Sequence, residues 1–259
     1  MDARRVFFLG GNDLEMITIR GILKEKGISF VDKGLSWNNA TLSKYSDVLE
    51  QYKDYYIYGI ELKNDLEEKD IPSHYYAIDH HNELFYRPSS LEQVADLLGY
   101  TLSDREQLIA ANDKGYIPAM QAMGATKDQI AEIRQLDRLA QGVTNQEYEK
   151  ALNSLSSKET FGNLIIVRTA SKIFSPITDE LYPYKSLLVV SVENRCFCFY
   201  GYGSQEMHNT ANALWSTFSG GGKNGFWGGD LKTIVQDQYV ETEIESLIDA
   251  VKHNYSKIQ

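Results

Sequence analysis

The first third of the chain alternates short apolar runs with amphipathic stretches. RRVFFLGGND reads as a buried strand that runs into Gly10 and Gly11. LEMITIRGILKEKG then carries Met16, Ile19, Ile22 and Leu23 at helical spacing and stops at Gly27. ISFVD is a second strand, and SDVLEQYK is a helix that Ser46 can cap. DYYIYGIEL and HYYAIDHHN are a third and a fourth strand. Strands that alternate with helices imply a largely parallel α/β sheet.

The middle of the chain is helical, and its starts are marked by hydroxyl residues followed three positions later by Glu or Gln. The pairs are Ser89 with Glu92, Ser103 with Glu106, Thr126 with Gln129 and Thr144 with Glu147. In such a box the hydroxyl accepts from the third helical N–H and that residue's side chain reaches back. The pattern predicts a helical block from about Ser89 to Leu155. NSLSSKETFGN is small and polar and reads as a linker, which places a boundary near Ser157: residues 1–157 form one domain and 158–259 a smaller α+β domain. In the second domain GNLIIVRTA and SLLVVSVENRCFCFYGYG are strand-like, with ENR as a turn. SQEMHNTANALWSTF reads as a helix, KTIVQ as a final strand and ETEIESLIDAVKHNY as a final helix.

Composition narrows the function classes. The 259 residues carry a formal net charge of -10, which argues against a broad basic surface for duplex DNA. A phosphorylated partner must then be held locally, by a metal, a few cations or backbone N–H groups. No apolar run approaches the roughly 18 residues of a membrane span. The N-terminal apolar stretch is too short for a signal peptide, so the expected location is the cytoplasm. Cys196 and Cys198, two apart on one strand, read as reduced core residues rather than a disulfide.

The chemistry gathers at strand ends, where parallel α/β sheets bind ligands. Asp13 and Glu15 follow the first strand, Glu61 the third, and Asp79, His80 and His81 the fourth; Asp113 lies in the helical block. Each acidic residue alone has a plain structural reading, as a cap or a solvated loop residue. Gathered in one crevice, they repel one another unless something positive sits among them. Carboxylates mixed with imidazole suit a divalent transition metal such as Mn²⁺. Of the glycine motifs, GGGKN is no P-loop, because Thr217 takes the first glycine position and Asn224 follows the lysine. GYGSQE lacks a third glycine. SGGGKNGFWGG can hold an anion on its amides and Lys223, with Phe226 and Trp227 either stacking on a base or anchoring the loop.

In the order of these motifs the chain resembles the DHH phosphoesterases: NDLE after the first strand, GIEL after a later one, IDHHN, then ANDKG, and a glycine-rich loop, FSGGGKNGFWGG, in a C-terminal domain. The resemblance covers nearly the whole chain. It implies a two-domain hydrolase of phosphate esters that uses metal-activated water in a cleft between the domains. Asp13, Glu15, Glu61, His80 and Asp113 would bind one or two Mn²⁺ ions, with Mg²⁺ as the alternative ion. Asp79 would orient a histidine, and His81 would face the phosphate. Gly220, Gly221, Gly222 and Lys223 would hold the substrate, a small nucleotide or short oligonucleotide. Leu9 stands where the family commonly has His, Glu15 and Glu61 stand for Asp, and Lys223 stands for His. These departures leave open a degenerate module that binds a phosphorylated ligand without turnover; a homodimer is also left open.

Overall fold

The computed structural model describes residues 4–211, 216–221, 224–231 and 239–258. The chain forms two compact units, Met1–Gly142 and Val143–Gln259. Their boundary falls ahead of the place that the polar linker suggests, so the last helix of the expected helical block belongs to the second unit.

The first unit is built on four parallel strands: β1 (Arg5–Leu9), β2 (Ser29–Asp32), β3 (Tyr56–Ile60) and β4 (Tyr75–Ile78). Their order is β2-β1-β3-β4. Alternation decides the faces, since neighbouring side chains on a strand point opposite ways. Val6, Phe8 and Ile57 pack with Leu42 and Tyr45 on one side. Phe7 stacks on Tyr58 on the other, with ring centroids 5.0 Å apart. Helix α1 (Leu14–Glu25) buries Met16, Ile19, Ile22 and Leu23, the residues its periodicity selects. The segment read as SDVLEQYK is only one helical turn, α2 (Ser46–Leu49), followed by a 3₁₀ turn.

Helices α3 (Ser90–Leu98), α4 (Asp104–Ala122) and α5 (Lys127–Ala140) complete the first unit, and each begins with the complete reciprocal box expected of it. Helix α4 is broken: Gly115 and Tyr116 leave helical geometry, with Tyr116 at φ 60°. The first segment therefore ends just after Asp113. Leaving the helix there releases backbone carbonyls and turns the chain sharply.

The second unit holds a six-stranded sheet in the order β5-β6-β7-β8-β10-β9. The strands are β5 (Glu159–Phe161), β6 (Leu164–Thr169), β7 (Ser186–Ser191), β8 (Cys196–Gly201), β9 (Ser216–Gly220) and β10 (Phe226–Asp230). Only β6 and β7 pair in parallel. Helices α6 (Asn145–Asn153) and α7 (Ser175–Leu181) lie on one face, where Ala151 and Ile177 meet Val167, Leu187 and Val189. That packing assigns α6 to this unit. Helices α8 (Ser204–Ala211) and α9 (Val240–Ile258) cover the other face, against Phe197, Phe199 and Trp227. The fold is thus α/β, with a parallel sheet and a helical block followed by a mixed-sheet unit.

Three local expectations are corrected. Thr144 caps α6 through the Glu147 N–H, but the Glu147 carboxylate accepts from the Ser171 hydroxyl at 3.0 Å instead of reaching back, so the fourth box is half formed. The stretch read as helix through STF does not stay helical: Ser204–Ala211 is α8, but Ser216–Gly220 is a strand paired with β10. Trp227 is fully buried in the core, which removes it as a base-stacking residue. Cys196 and Cys198 are free thiols. KTIVQ lies outside the described residues.

Candidate metal centre

The chain steps from β1 outward to β2 and then returns past β1 to β3. The reversal leaves a crevice at the carboxyl edge between β1 and β3, the usual ligand site of an open parallel sheet. Glycine makes the crevice narrow. A Cβ on Gly10 would lie 2.3 Å from the Ile60 carbonyl oxygen and 2.4 Å from that of Glu61. Directly after β3, Glu61 takes a left-handed backbone, φ 51°. A non-glycine residue holds that conformation at a cost of order 1–3 kcal/mol, and such strain gathers at functional sites.

Four residues meet at this edge. Glu61, His80, His81 and Asp113 each offer one donor atom, and these atoms all lie within 4.8 Å of one another. Glu61 and His80 are each only 5% exposed. His80 Nε2 is 2.6 Å from Asp113 Oδ2, 3.5 Å from Glu61 Oε1 and 3.8 Å from Glu15 Oε2. None of these approaches has the alignment of a hydrogen bond. His80 Nε2, both Glu61 oxygens, Glu15 Oε2 and Asp113 Oδ2 are all buried and have no hydrogen-bond partner among the described residues. Unpaired buried polar atoms are costly and rare. Five of them aimed at one neighbourhood, all oxygen or imidazole nitrogen, form a donor set that fits a divalent cation.

Asp13 and Glu15 stand around this group of four. Asp13 Oδ1 caps α1 by accepting from the Met16 N–H at 2.8 Å. Glu15 Oε1 accepts from the Leu91 N–H at 2.9 Å, at the start of α3. Each carboxylate therefore commits one oxygen to a helix N-terminus, which fixes the side chain, and Glu15 keeps the other turned toward His80.

The carboxylates of the cluster crowd one another, with His80 beside them as the nearest cation. Burial pushes Asp13 up to about 7, with Asp113 adding to the effect, and burial with Glu15 nearby pushes Asp113 up to about 6. Glu15 and Glu61 are raised as well, chiefly by burial. His80 is raised too, which in its case favours the charged form: burial alone would lower it, but Asp113, Glu15 and Glu61 outweigh burial and push it up to about 12. A proton on His80 thus supplies positive charge where a cation fits.

His81 is held separately. Its ring Nδ1 and its backbone N–H both meet Asp79 Oδ1, each at 2.9 Å. Asp79 thus orients His81 through Nδ1 and leaves Nε2 turned to another partner. Although burial works in the opposite direction, the bonds from His81 hold Asp79 below the usual carboxylate range. The His81 ring also touches that of His80, with centroids 4.4 Å apart, and lies edge-on to Trp37 at 4.7 Å. Trp37 carried no motif. The one hint of it in the sequence is a large aromatic in a polar loop, SWNNA, after a strand end.

In the second unit the glycine motif forms the connection between β9 and β10. Gly221 adopts φ 70°, and a Cβ on Gly220 would meet the Phe226 ring at 2.7 Å. Gly222 and Lys223 lie outside the described residues.

No family model matches the chain, and no curated protein matches it by sequence. Solved structures do match along nearly its whole length. A pGpG-specific phosphodiesterase, PggH from Vibrio cholerae, is 11% identical, with 97% of this chain and 99% of that one covered and a TM-score of 0.44. The DHH domain of a protein assigned to a family of ribosomal proteins is 11% identical over 96% of this chain and 87% of that one, with a TM-score of 0.49. An uncharacterized protein from Helicobacter pylori G27 is 12% identical over 96% and 99%, with a TM-score of 0.26.

Proposed function

We propose that the chain is a metal-dependent phosphoesterase whose centre is the cluster at the carboxyl edge of β1, β3 and β4. The observation that carries this reading is the convergence of unpartnered, buried Glu61, His80 and Asp113 atoms, with Glu15 Oε2 beside them. Glu61, His80 and Asp113 hold the ion, and Asp13 and Glu15 flank it. A bound divalent ion supplies an activated water and neutralises charge on a phosphoryl group. The ion is Mn²⁺ in this reading.

The surrounding residues supply position and charge. His81, fixed by Asp79, meets a phosphoryl oxygen. Burial alone would lower its midpoint, but Asp79 and the nearby carboxylates outweigh burial and raise it. With a proton on Nε2 as well as on Nδ1, the ring donates to charge that develops on phosphorus. Asp13 and Glu15, pinned by helix N-termini, keep α1 and α3 from drifting away from the cluster. Because Leu9 stands at a position commonly held by His in the DHH family and offers no donor, we assign one ion rather than two. The substrate is a small phosphate ester of the nucleotide type.

The test is elemental analysis after Mn²⁺ loading, beside a hydrolysis screen over mononucleotides, dinucleotides, cyclic dinucleotides and pyrophosphate. About one ion per chain and hydrolysis that a chelator abolishes are expected, with both lost in His80→Ala. Metal without turnover of any ester makes the chain a binding module. No bound metal ends the reading.

A further inference from the structure

Trp37 has no evident reason to be where it is if folding alone is considered. It opens a 3₁₀ turn (Trp37–Asn39) after the end of β2, and 46% of its surface is exposed. An indole left half in water forgoes much of the free energy that its burial provides. Other large apolar side chains are exposed too, among them Phe85 and Tyr86. Trp37 differs from them in what it touches. Its ring is edge-on to His81, with centroids 4.7 Å apart and planes at 77°. On its other contact it lies against Gly11: the point where a Gly11 Cβ would sit is 3.8 Å from Trp37 Cε2, 3.5 Å from Asp13 Oδ2 and 3.7 Å from Glu61 Oε2. The indole thus lies beside the acidic cluster, with Gly11 between them.

The turn that carries Trp37 is also firmly held. Its carbonyl accepts from the Ala40 N–H, and Ala40 is buried in the core below the sheet. Lys63 donates its N–H to the Ala40 carbonyl at 2.9 Å, and the Leu42 N–H returns to the Lys63 carbonyl at 2.9 Å. The exposed ring therefore stands on a fixed base and is not a frayed loop residue, so its ordering cost is met before any ligand arrives.

We infer that Trp37 is the specificity residue of the site, a platform on which an aromatic ring of the substrate stacks while its phosphate meets His81 and the cluster. This inference rests on the phosphoesterase reading and deepens it by naming the substrate class: a phosphate ester with a nucleobase one sugar away from the reacting phosphate. Every base has a π-face, so the platform selects for the presence of a base and not for its identity. An uncharged indole also suits a crevice already crowded with carboxylates, where a cationic platform would compete for the same oxygens.

The experiment is calorimetric binding to the Mn²⁺-loaded full chain, with a nucleoside 5′-monophosphate and inorganic phosphate as probes, for wild type, Trp37→Ala and Trp37→Phe. Base–aromatic stacking of ~1–3 kcal/mol corresponds to roughly 5- to 150-fold in Kd. Trp37→Ala should weaken the nucleotide by that factor and leave phosphate unchanged, and Trp37→Phe should restore most of the loss. An equal weakening of both probes means that Trp37 only props His81 and overturns the platform. Unchanged nucleotide binding in Trp37→Ala overturns it as well. If wild type binds phosphate but hydrolyses nothing, the parent reading fails while a stacking result stands. If wild type binds neither probe, both fall.

Discussion

Loading the cluster with metal should displace a proton, and the size of that effect follows from His80. Without an ion, burial works against the charge on His80, but Asp113, Glu15 and Glu61 outweigh it and keep the ring protonated to about 12. An ion on Nε2 needs the lone pair that this proton occupies. One proton displaced per ion makes apparent affinity rise about tenfold per pH unit, or ~1.4 kcal/mol. Between pH 6 and 8 the gain is therefore about 100-fold, ~2.7 kcal/mol. Below about 6 Asp113 also holds a proton, and the dependence steepens. The metal-free protein moves the opposite way. The stability contributed by a raised His80 is complete below its ordinary 6.5 and is lost as pH rises toward about 12. Asp13 and Asp113 are acids whose folded midpoints are raised from 3.8, so each favours the fold most at low pH and loses that contribution as pH climbs through about 6 to 7. With Mn²⁺ in excess, the gap in melting temperature between loaded and chelated protein should widen from pH 6 to pH 8 by roughly 5–11 °C, at about 2–4 °C per kcal/mol. Thermal melts measure the gap, and calorimetry at pH 7 in buffers of different protonation enthalpy should count about one proton released per ion. A gap that stays flat with pH, or binding that releases no proton, refutes the assignment of His80 as a ligand.

Substitutions around the cluster should separate its parts. His81→Ala leaves the three buried donors in place, so metal content should hold while turnover drops on the order of 10²–10³-fold; metal loss equal to that of His80→Ala would make His81 a ligand. Asp79→Asn weakens the grip on the His81 ring and should cost about 10–100-fold in activity, with little change in melting temperature. Gly10→Ala drives a Cβ to 2.3 Å from the Ile60 oxygen, so the backbone beside Glu61 must move; urea denaturation should show a loss of ~1–3 kcal/mol, and Mn²⁺ affinity should fall with it. Arg134 holds Asp137 at 2.8 Å, Asn112 at 3.0 Å and the Tyr116 hydroxyl at 2.7 Å. Arg134→Met takes the guanidinium from buried Asp137, which keeps bonds from the Leu14 N–H and Gln141 but loses its paired cation, and should destabilise the first unit by about 3–5 kcal/mol in the same assay.

What the sequence shows and what it hides divide along a physical line. Period and local caps are written in neighbouring residues, so β1, α1 and the boxes at Ser89, Ser103 and Thr126 were legible. The fourth box failed because Glu147 bonds Ser171 instead, a partner that no local window contains. STF closes a stretch that reads as helix, SQEMHNTANALWSTF, yet pairing with Phe226–Asp230 makes it a strand. The same line runs through the site. That acidic residues and imidazoles end the strands is visible in order alone. Which oxygen of each remains free is not, because the decision is made by donors from elsewhere in the chain. The Leu91 N–H takes Glu15 Oε1 and the Met16 N–H takes Asp13 Oδ1, whereas no donor reaches either oxygen of Glu61. Asp113 comes within reach of His80 on a helix that breaks just beyond it, at Gly115 and Tyr116, and Tyr116 answers to Arg134. The capacity to hold an ion therefore lies less in which acids the chain carries than in which of their oxygens the fold leaves without a donor.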